Sequence, residues 1–506
     1  MAQNSIAKNT ILLYFRTLCT IIISLYTSRI VLQVLGVNDY GIYQVVGGIS
    51  SMLSYVINGS LASGSSRFIT FEMGKGERGN VNEVFSSLLT IHIIIGIIVI
   101  LLSETIGLWF VCHKLVIPSE RLNAALFTFQ FSILTTIIGI TQVPYTAIII
   151  GHEKMNIYAY TSIIEAILKL IIVYLLSVSG WDKLILYSAL LFIVQLCITS
   201  FYRIYCVRNY KESHYHFKIN KVTIKKVLSF STWNLIENTS ISLNAQGTSV
   251  LLNMFFSSGV VTARSIANII SMTANNFINN LRTATNPQIV KRFSSNDLEG
   301  SKRLLLNSTK YSYYMMLMLA IPIFMVAQQL LYLWLGQVPE YSVIFLKFTI
   351  ITALFSVFDQ SFYTAFTAKG QIKETTLYSI CIGYITFPIT YVLFKLGFSP
   401  IALCWTMLAS SVISSIIIKP ILLIKIIGYK WSDLKALLLD CLKITMIAIP
   451  IPTIVYIYKN IIFPNNISLF LGLSFVSIVC TATTIWAIGI DHNIRLKIIQ
   501  KIKHIF

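Results

Sequence analysis

The sequence predicts an all-α polytopic membrane protein of about fourteen transmembrane helices. Three observations predict it. Apolar windows of about 20 residues recur from one end of the chain to the other. The 506 residues are 56% hydrophobic and only 11% charged, with mean hydropathy +0.75, which is too apolar for a soluble protein of this length. The third is the distribution of positive charge. With the N-terminus placed in the cytoplasm, 28 of the 39 Lys and Arg fall in inner segments, 5 in outer segments and 6 within spans. That bias fixes the orientation and an even span number, with both termini inside. It also accounts for the net charge of +20 without nucleic acid as a partner.

The spans, in order, are 11–35, 40–63, 85–111, 123–149, 157–178, 184–206, 228–256, 260–283, 308–333, 342–366, 375–395, 401–425, 438–459 and 468–489. The first follows MAQNSIAKNT with no small-residue cleavage site, so it reads as a helix that stays and not as a removable signal. It carries Arg16, Thr20 and Thr27 on one face and Arg29 nearer its outer end. Arg16 has two readings, facing a lumen or snorkelling to the inner headgroups. Span two follows GVNDYG and holds VVGG, where a helix can bend. In span five, Glu165 and Lys169 stand one turn apart and suit a mutual ion pair, or a pair that exchanges partners in a lumen.

Span seven sets Asn234, Glu237, Ser240, Asn244 and Thr248 on one face. Span eight is the most polar. Arg264, Asn268, Ser271, Asn275, Asn279 and Arg282 follow at steps of 4, 3, 4, 4 and 3, which puts them on one stripe of a helix. Eighteen residues at about 1.5 Å each give roughly 27 Å, close to the hydrocarbon thickness. Charge at that depth is costly and faces a cavity or a partner. The expectation is a polar lumen lined by this helix, with Arg264 toward the outer side and Arg282 at the cytoplasmic rim. Asp359 in span ten is the other deep carboxylate, suited to a proton or sodium ion or to pairing with an arginine. Glu104, Lys347 and Lys443 lie near span ends and read as snorkelling. Prolines 144, 287, 322, 388, 420, 450 and 452 interrupt spans and permit kinks.

At an offset of 220 residues, 31–84 lies on 251–304 without a gap. Each copy is an outward helix, a tight turn, an inward helix and a basic loop. Six spans separate them, which implies a parallel repeat about an axis along the membrane normal. The expected organisation is an N-terminal six-helix bundle (1–227), a C-terminal six-helix bundle (228–430) and two additional helices with a basic tail (431–506). The largest inner loops are about 20 residues, too short for a catalytic domain. The eight cysteines sit in or beside apolar runs without metal-ligand spacing. The histidines form no helical ligand pair, and no Walker A, GxSxG or dinucleotide fingerprint occurs, so no cofactor is expected.

The run LYTSRIVLQVLGVNDYGIYQVVGG, then NGSLASGSSRFITFEMGKG, VPYTAIIIGHEKM, and QGTSVLLNMFFSSGVVTARSIA through TNPQIVK together resemble Wzx-type O-antigen and polysaccharide flippases. These belong to the multidrug/oligosaccharidyl-lipid/polysaccharide exporter superfamily. The resemblance implies two six-helix bundles around a central polar cavity plus two C-terminal helices. It implies translocation of an undecaprenyl-diphosphate-linked oligosaccharide across the bacterial inner membrane by alternating access, for O-antigen or capsular polysaccharide. The implied partners are that lipid-linked oligosaccharide, membrane lipid, a proton or sodium gradient, and a polymerase with chain-length machinery. Related lipid II flippases use cavity arginines on their first and eighth helices, which Arg16 or Arg29 and Arg264 match by helix. The substrate set is then Arg264, Arg29, Arg16, Asn268, Asn275, Asn279, Glu237 and Asn244; the coupling or gating set is Asp359, Glu165 and Lys169. The competing readings are a cation-coupled multidrug exporter, a lipid II flippase, and, outside the transporters, a membrane-embedded polymerase. The last predicts a sizeable outer loop with acid–base residues, and every outer loop is short.

Overall fold

The structure, a computed structural model, describes residues 2–76, 79–152, 154–216, 235–236, 238–371, 373–462, 468–490 and 495. The described residues form helices and connections, with no strand among them. The chain divides into two compact units, Met1–Ser265 and Ile266–Phe506.

The first unit begins with α1, Ala2–Gly74, which breaks at Gly36 (φ 77°, ψ 171°). That φ is strained for any residue with a Cβ, so the glycine sets where the first segment ends and the second starts. Then come α2 (Val81–Leu102), a π-turn (Ser103–Gly107) and α3 (Leu108–His113). Asn80 caps α2 by accepting from the Glu83 N–H at 3.2 Å and donates back to the Glu83 carboxylate at 2.7 Å, a reciprocal cap. Next are α4 (Leu122–Gly151), α5 (Met155–Val178) and α6 (Lys183–Asn209). Helical residues 238–242 run into a π-turn (Leu243–Gly247) and α7 (Thr248–Phe255). The helix α8, Ser258–Ser294, starts in this unit and crosses the division.

The core of unit 1 gathers Ile42, Val46, Val111, Phe129, Ile133 and Leu184. Ile93, Ile94, Ile97, Ile98 and Leu101 of α2 stay exposed, the apolar outer face a lipid-facing helix needs. Residues 238–265 are held on α1. Ser242 donates to the Met52 carbonyl at 3.0 Å and Thr262 to the Val37 carbonyl at 2.7 Å. Gly41 lies so close to the Ser258 backbone that a Cβ there would collide with it. The helix breaks at Gly36 and Phe256 are 220 residues apart, the offset of the sequence repeat, and the two turns pack on each other. Outside the hydrocarbon, Arg121 joins Asp39 (Nε to Oδ1, 2.9 Å) to Asp182 (Nη1 to Oδ2, 2.6 Å). Burial raises the Asp39 carboxyl, more than Arg121 lowers it. Burial also raises Asp182, but hydrogen bonds from Arg121 and the α6 N-terminus outweigh it and hold this carboxyl below its ordinary value.

The second unit continues with α9 (Leu298–Met325) and α10 (Ala327–Leu335), bent by 80° from it. The ninth span, expected as one helix over 308–333, is therefore a bent pair. The break follows Pro322, whose carbonyl accepts the capping N–H of Val326 at 3.0 Å. Then come α11 (Ser342–Lys369), α12 (Lys373–Lys395) and α13 (Ile401–Val412). A π-turn (Ile413–Ile418), α14 (Lys419–Leu422) and a second π-turn (Leu423–Ile427) prolong α13. The last helices are α15 (Trp431–Ala448), α16 (Pro450–Ile462) and α17 (Ser468–Thr484). Leu434, Leu437, Cys441 and Ile444 of α15 belong to the core of this unit, with Met316, Phe358 and Phe362. Lys302–Asp433 (3.1 Å) and Lys310–Asp440 (2.8 Å) tie α15 to α9.

Among the described residues, ten helical stretches are long and apolar enough to cross a membrane, and the α9–α10 pair makes eleven. Three of the fourteen expected spans do not register separately. The stretch Leu18–Gly74 contains two, divided at Gly36. The helix α8 is too polar, and part of the seventh span lies outside the described residues. The chain is a multi-pass membrane protein.

Candidate functional site: polar groups inside the spans

Arg264 lies two turns into α8 and is 6% exposed. It is placed in unit 1. The rest of the stripe is in unit 2. Asn268, Asn275 and Asn279 are half-buried and Ser271 is buried. Asn275 donates to the Ser271 carbonyl at 2.9 Å. A side-chain amide bonded to its own preceding turn costs less inside a membrane than an unpaired one. Arg282 is 5% exposed and donates to Asn279 and to Gln360 of α11. It is thus buried between helices and not on a solvated rim, because two amide oxygens meet its guanidinium there.

The polar face of span seven is satisfied largely along its own helix. Asn244 donates to the Ser240 carbonyl at 2.9 Å, and Thr248 to the Asn244 carbonyl at 2.8 Å. Glu237 and Asn234 lie outside the described residues, and so does the side chain of Arg16. Arg29 is half-buried on the first segment of α1. Glu165 and Lys169 form an ion pair at 2.6 Å within α5, and both side chains are substantially exposed.

Asp359 meets a partner, Lys419, that the sequence did not single out. Lys419 Nζ lies 2.8 Å from Asp359 Oδ2 and donates to the Asp359 carbonyl at 2.8 Å. Ser414 Oγ donates to Asp359 Oδ1 at 2.6 Å. The Lys419 side chain is only 4% exposed, and its ammonium also lies 5.5 Å from the Tyr363 ring centroid. The deep carboxylate is thus paired with a lysine, where an arginine was one expectation. Ser414 and Lys419 are five residues apart, on different faces of an α-helix. The intervening π-turn, with its i to i+5 bonding, brings such positions into line. A lysine beside a proline after an apolar run, SSIIIKP, was the available signal.

Sequence reading also missed the hydroxyls and amides of unit 1. They line two adjoining cavities of about 200 and 450 Å³, which share Ser51, Thr135 and Thr136. Gln142 Oε1 accepts from Gln195 at 3.2 Å and from Thr199 at 2.8 Å. Short polar residues scattered through apolar helices carry no motif, so only packing reveals that they converge. In unit 2 an apolar cavity of about 460 Å³ lies among α9, α11, α15 and α16, with Lys347 at its edge.

The family described as "Polysaccharide biosynthesis protein" matches residues 6–293. No curated protein sequence matches the chain. Among solved structures, the lipid II flippase MurJ in an inward closed conformation is similar with TM-score 0.71 and 14% identity, over 94% of this chain and 98% of that one. An inward-facing multidrug resistance MATE family transporter of the MOP superfamily has TM-score 0.66 and 15% identity, over 82% and 95%. A MOP superfamily transporter from Pyrococcus furiosus, described as having a binding pocket of reverse polarity, has TM-score 0.55 and 15% identity, over 81% and 93%. At these identities the likeness is one of fold.

Proposed function

The chain belongs to the polysaccharide biosynthesis protein family, and from that premise we propose that it flips an undecaprenyl-diphosphate-linked oligosaccharide repeat unit from the inner to the outer leaflet of the bacterial cytoplasmic membrane. Both termini lie in the cytoplasm. The exported unit then feeds a polymerase and chain-length machinery for O-antigen or capsular polysaccharide. Transport proceeds by alternating access and draws on a proton or sodium gradient.

The observation that carries this reading is a buried arginine, Arg264, within a helix lined with amides. A diphosphate with sugars cannot cross hydrocarbon unaided. A guanidinium gives it a bidentate, permanently charged partner, while asparagine amides serve hydroxyls. Arg264 and Arg29 contact the headgroup, with Arg16 and Glu237 further along the path, and Asn244, Asn268, Asn275 and Asn279 bond the glycan. Asp359 is the coupling group. A proton or cation that neutralises its carboxylate releases Lys419 from an ion pair and so changes how α11 is held to the Ser414–Lys419 segment. Glu165 and Lys169 act as a gating pair that exchanges partners.

The test is export of polymer by Arg264→Ala and Arg264→Lys in a flippase-deficient strain. Arg264→Ala should lower export by about tenfold or more, the scale of one lost charge-assisted hydrogen bond of roughly 1.5–3 kcal/mol. Arg264→Lys should retain part of it. Normal export from both variants would sink the proposal.

A further inference from the structure

The two polar cavities of unit 1 form one track. The first is lined from Tyr43 to Ser51 on α1 and the second from Ser51 to Ser66. At about 1.5 Å per residue, that is roughly 35 Å of α1, somewhat more than the roughly 30 Å of a bilayer's hydrocarbon core. On α4 the lining runs from Phe131 to Ile150, roughly 28 Å by the same measure. The two volumes share three hydroxyl residues, so they adjoin.

Among the described residues neither lining contains a charged side chain; hydroxyls and carboxamides stand between apolar groups such as Phe131, Leu191, Val143 and Ile150. Gln44 and Gln246 serve the upper cavity, and Asn58, Gln142 and Gln195 the larger one. Carboxamides offer both donors and acceptors, the pattern that complements sugar hydroxyls. Asn58 Nδ2 donates to Ser54 Oγ at 3.0 Å, which holds this amide in the lining of the larger cavity. Gly139 lines the larger cavity, and a Cβ there would meet nothing within 4 Å. About 450 Å³ falls within the roughly 300–1,000 Å³ usual for small-molecule sites.

We propose that this track in unit 1 is a subsite for uncharged, hydroxyl-rich sugar residues of the cargo. The inference rests on the reading of the chain as a lipid-linked oligosaccharide flippase, and it adds a division of labour. Arginine recognises the charged diphosphate. The amide and hydroxyl track recognises neutral pyranose hydroxyls and disfavours a uronic acid, whose carboxylate would find no cation in either lining. Specificity arises because an analogue that cannot make these bonds leaves buried amides unpaired.

The experiment is equilibrium binding to the purified full-length protein in detergent. Three probes are used: a prenyl diphosphate without sugar, one carrying neutral hexoses, and one carrying hexuronic acids. Wild type should bind the neutral-sugar probe at least about tenfold more tightly than the sugar-free one, the scale of one to two net hydrogen bonds. Gly139→Leu, which grows into open space, and Asn58→Leu should each reduce that probe's affinity toward the sugar-free level. Both should leave the sugar-free affinity and the melting temperature unchanged. If the sugar-free probe binds and neutral sugars add nothing, or both variants bind them as wild type does, the subsite is overturned while the flippase reading stands. Equal affinity for hexuronic acids overturns the preference for neutral sugars. If no probe binds wild type, the flippase reading fails, and the subsite with it.

Discussion

Two acid–lysine pairs among the described residues, Glu165–Lys169 and Asp359–Lys419, are held very differently. In α5, Glu165 and Lys169 are four residues apart on one helix, with side chains 32% and 45% exposed. In unit 2, Asp359 and Lys419 come from separate segments, 31% and 4% exposed. Composition is the same and consequence is not. The α5 pair needs only helical geometry to form, so it forms wherever that helix goes, and exposure leaves it weak. The Asp359 pair exists only while α11 and the Ser414–Lys419 segment stay packed. A buried lysine that loses its carboxylate is stranded, and that penalty is large. A pair that links two elements can therefore report and control their packing, whereas a pair within one element cannot.

The largest effect should come from Asp359→Leu, which leaves the buried Lys419 ammonium without its carboxylate. Removing that partner of a buried charge costs about 3–5 kcal/mol, so export and melting temperature should both fall sharply. The exchange of the two residues, Asp359→Lys with Lys419→Asp, should recover part of both if the interaction is the ion pair itself. Export by Asp359→Leu at the wild-type level would remove Asp359 from any coupling role. A smaller effect belongs to Ser414→Ala, which deletes one hydrogen bond to the carboxylate, about 1 kcal/mol. It should shift the proton or sodium dependence of transport while leaving maximal export within about threefold; an unchanged ion dependence counts against a coupling site here. The smallest effect is expected from Glu165→Gln with Lys169→Met. Exposed i, i+4 pairs contribute about 0.3–0.5 kcal/mol, so stability should hardly move. If this double variant abolished export while the protein stayed folded, the contrast would invert, and the α5 pair would be a working group.

Much of the architecture was legible because its causes are local. Apolar windows, the Gly36 break and the basic loops each arise from a few consecutive residues. The polar stripe on α8 was legible too, since 3.6-residue periodicity is a property of one helix. Its interpretation was less complete. Arg282 looked like a rim residue because its neighbours in sequence lead to a basic loop, yet Gln360 and Asn279 draw it inside. Lys419 carries no periodic signal in the sequence, yet it is among the most buried charges of the described residues. Nothing in SSIIIKP announces a π-turn, and one added residue per turn rotates the next stretch of helix onto another face.

The sequence by itself determined the class of protein, the approximate spans and the 220-residue offset between the breaks at Gly36 and Phe256, because hydropathy and turn-forming residues act segment by segment. Only the tertiary structure decided partnerships: Asp359 with Lys419, Arg282 with Gln360, and Asn58, Gln142 and Gln195 around one cavity. Those depend on how helices distant in sequence are rotated and packed against one another. That rotation is set by the sum of many side-chain contacts, and no local pattern encodes it.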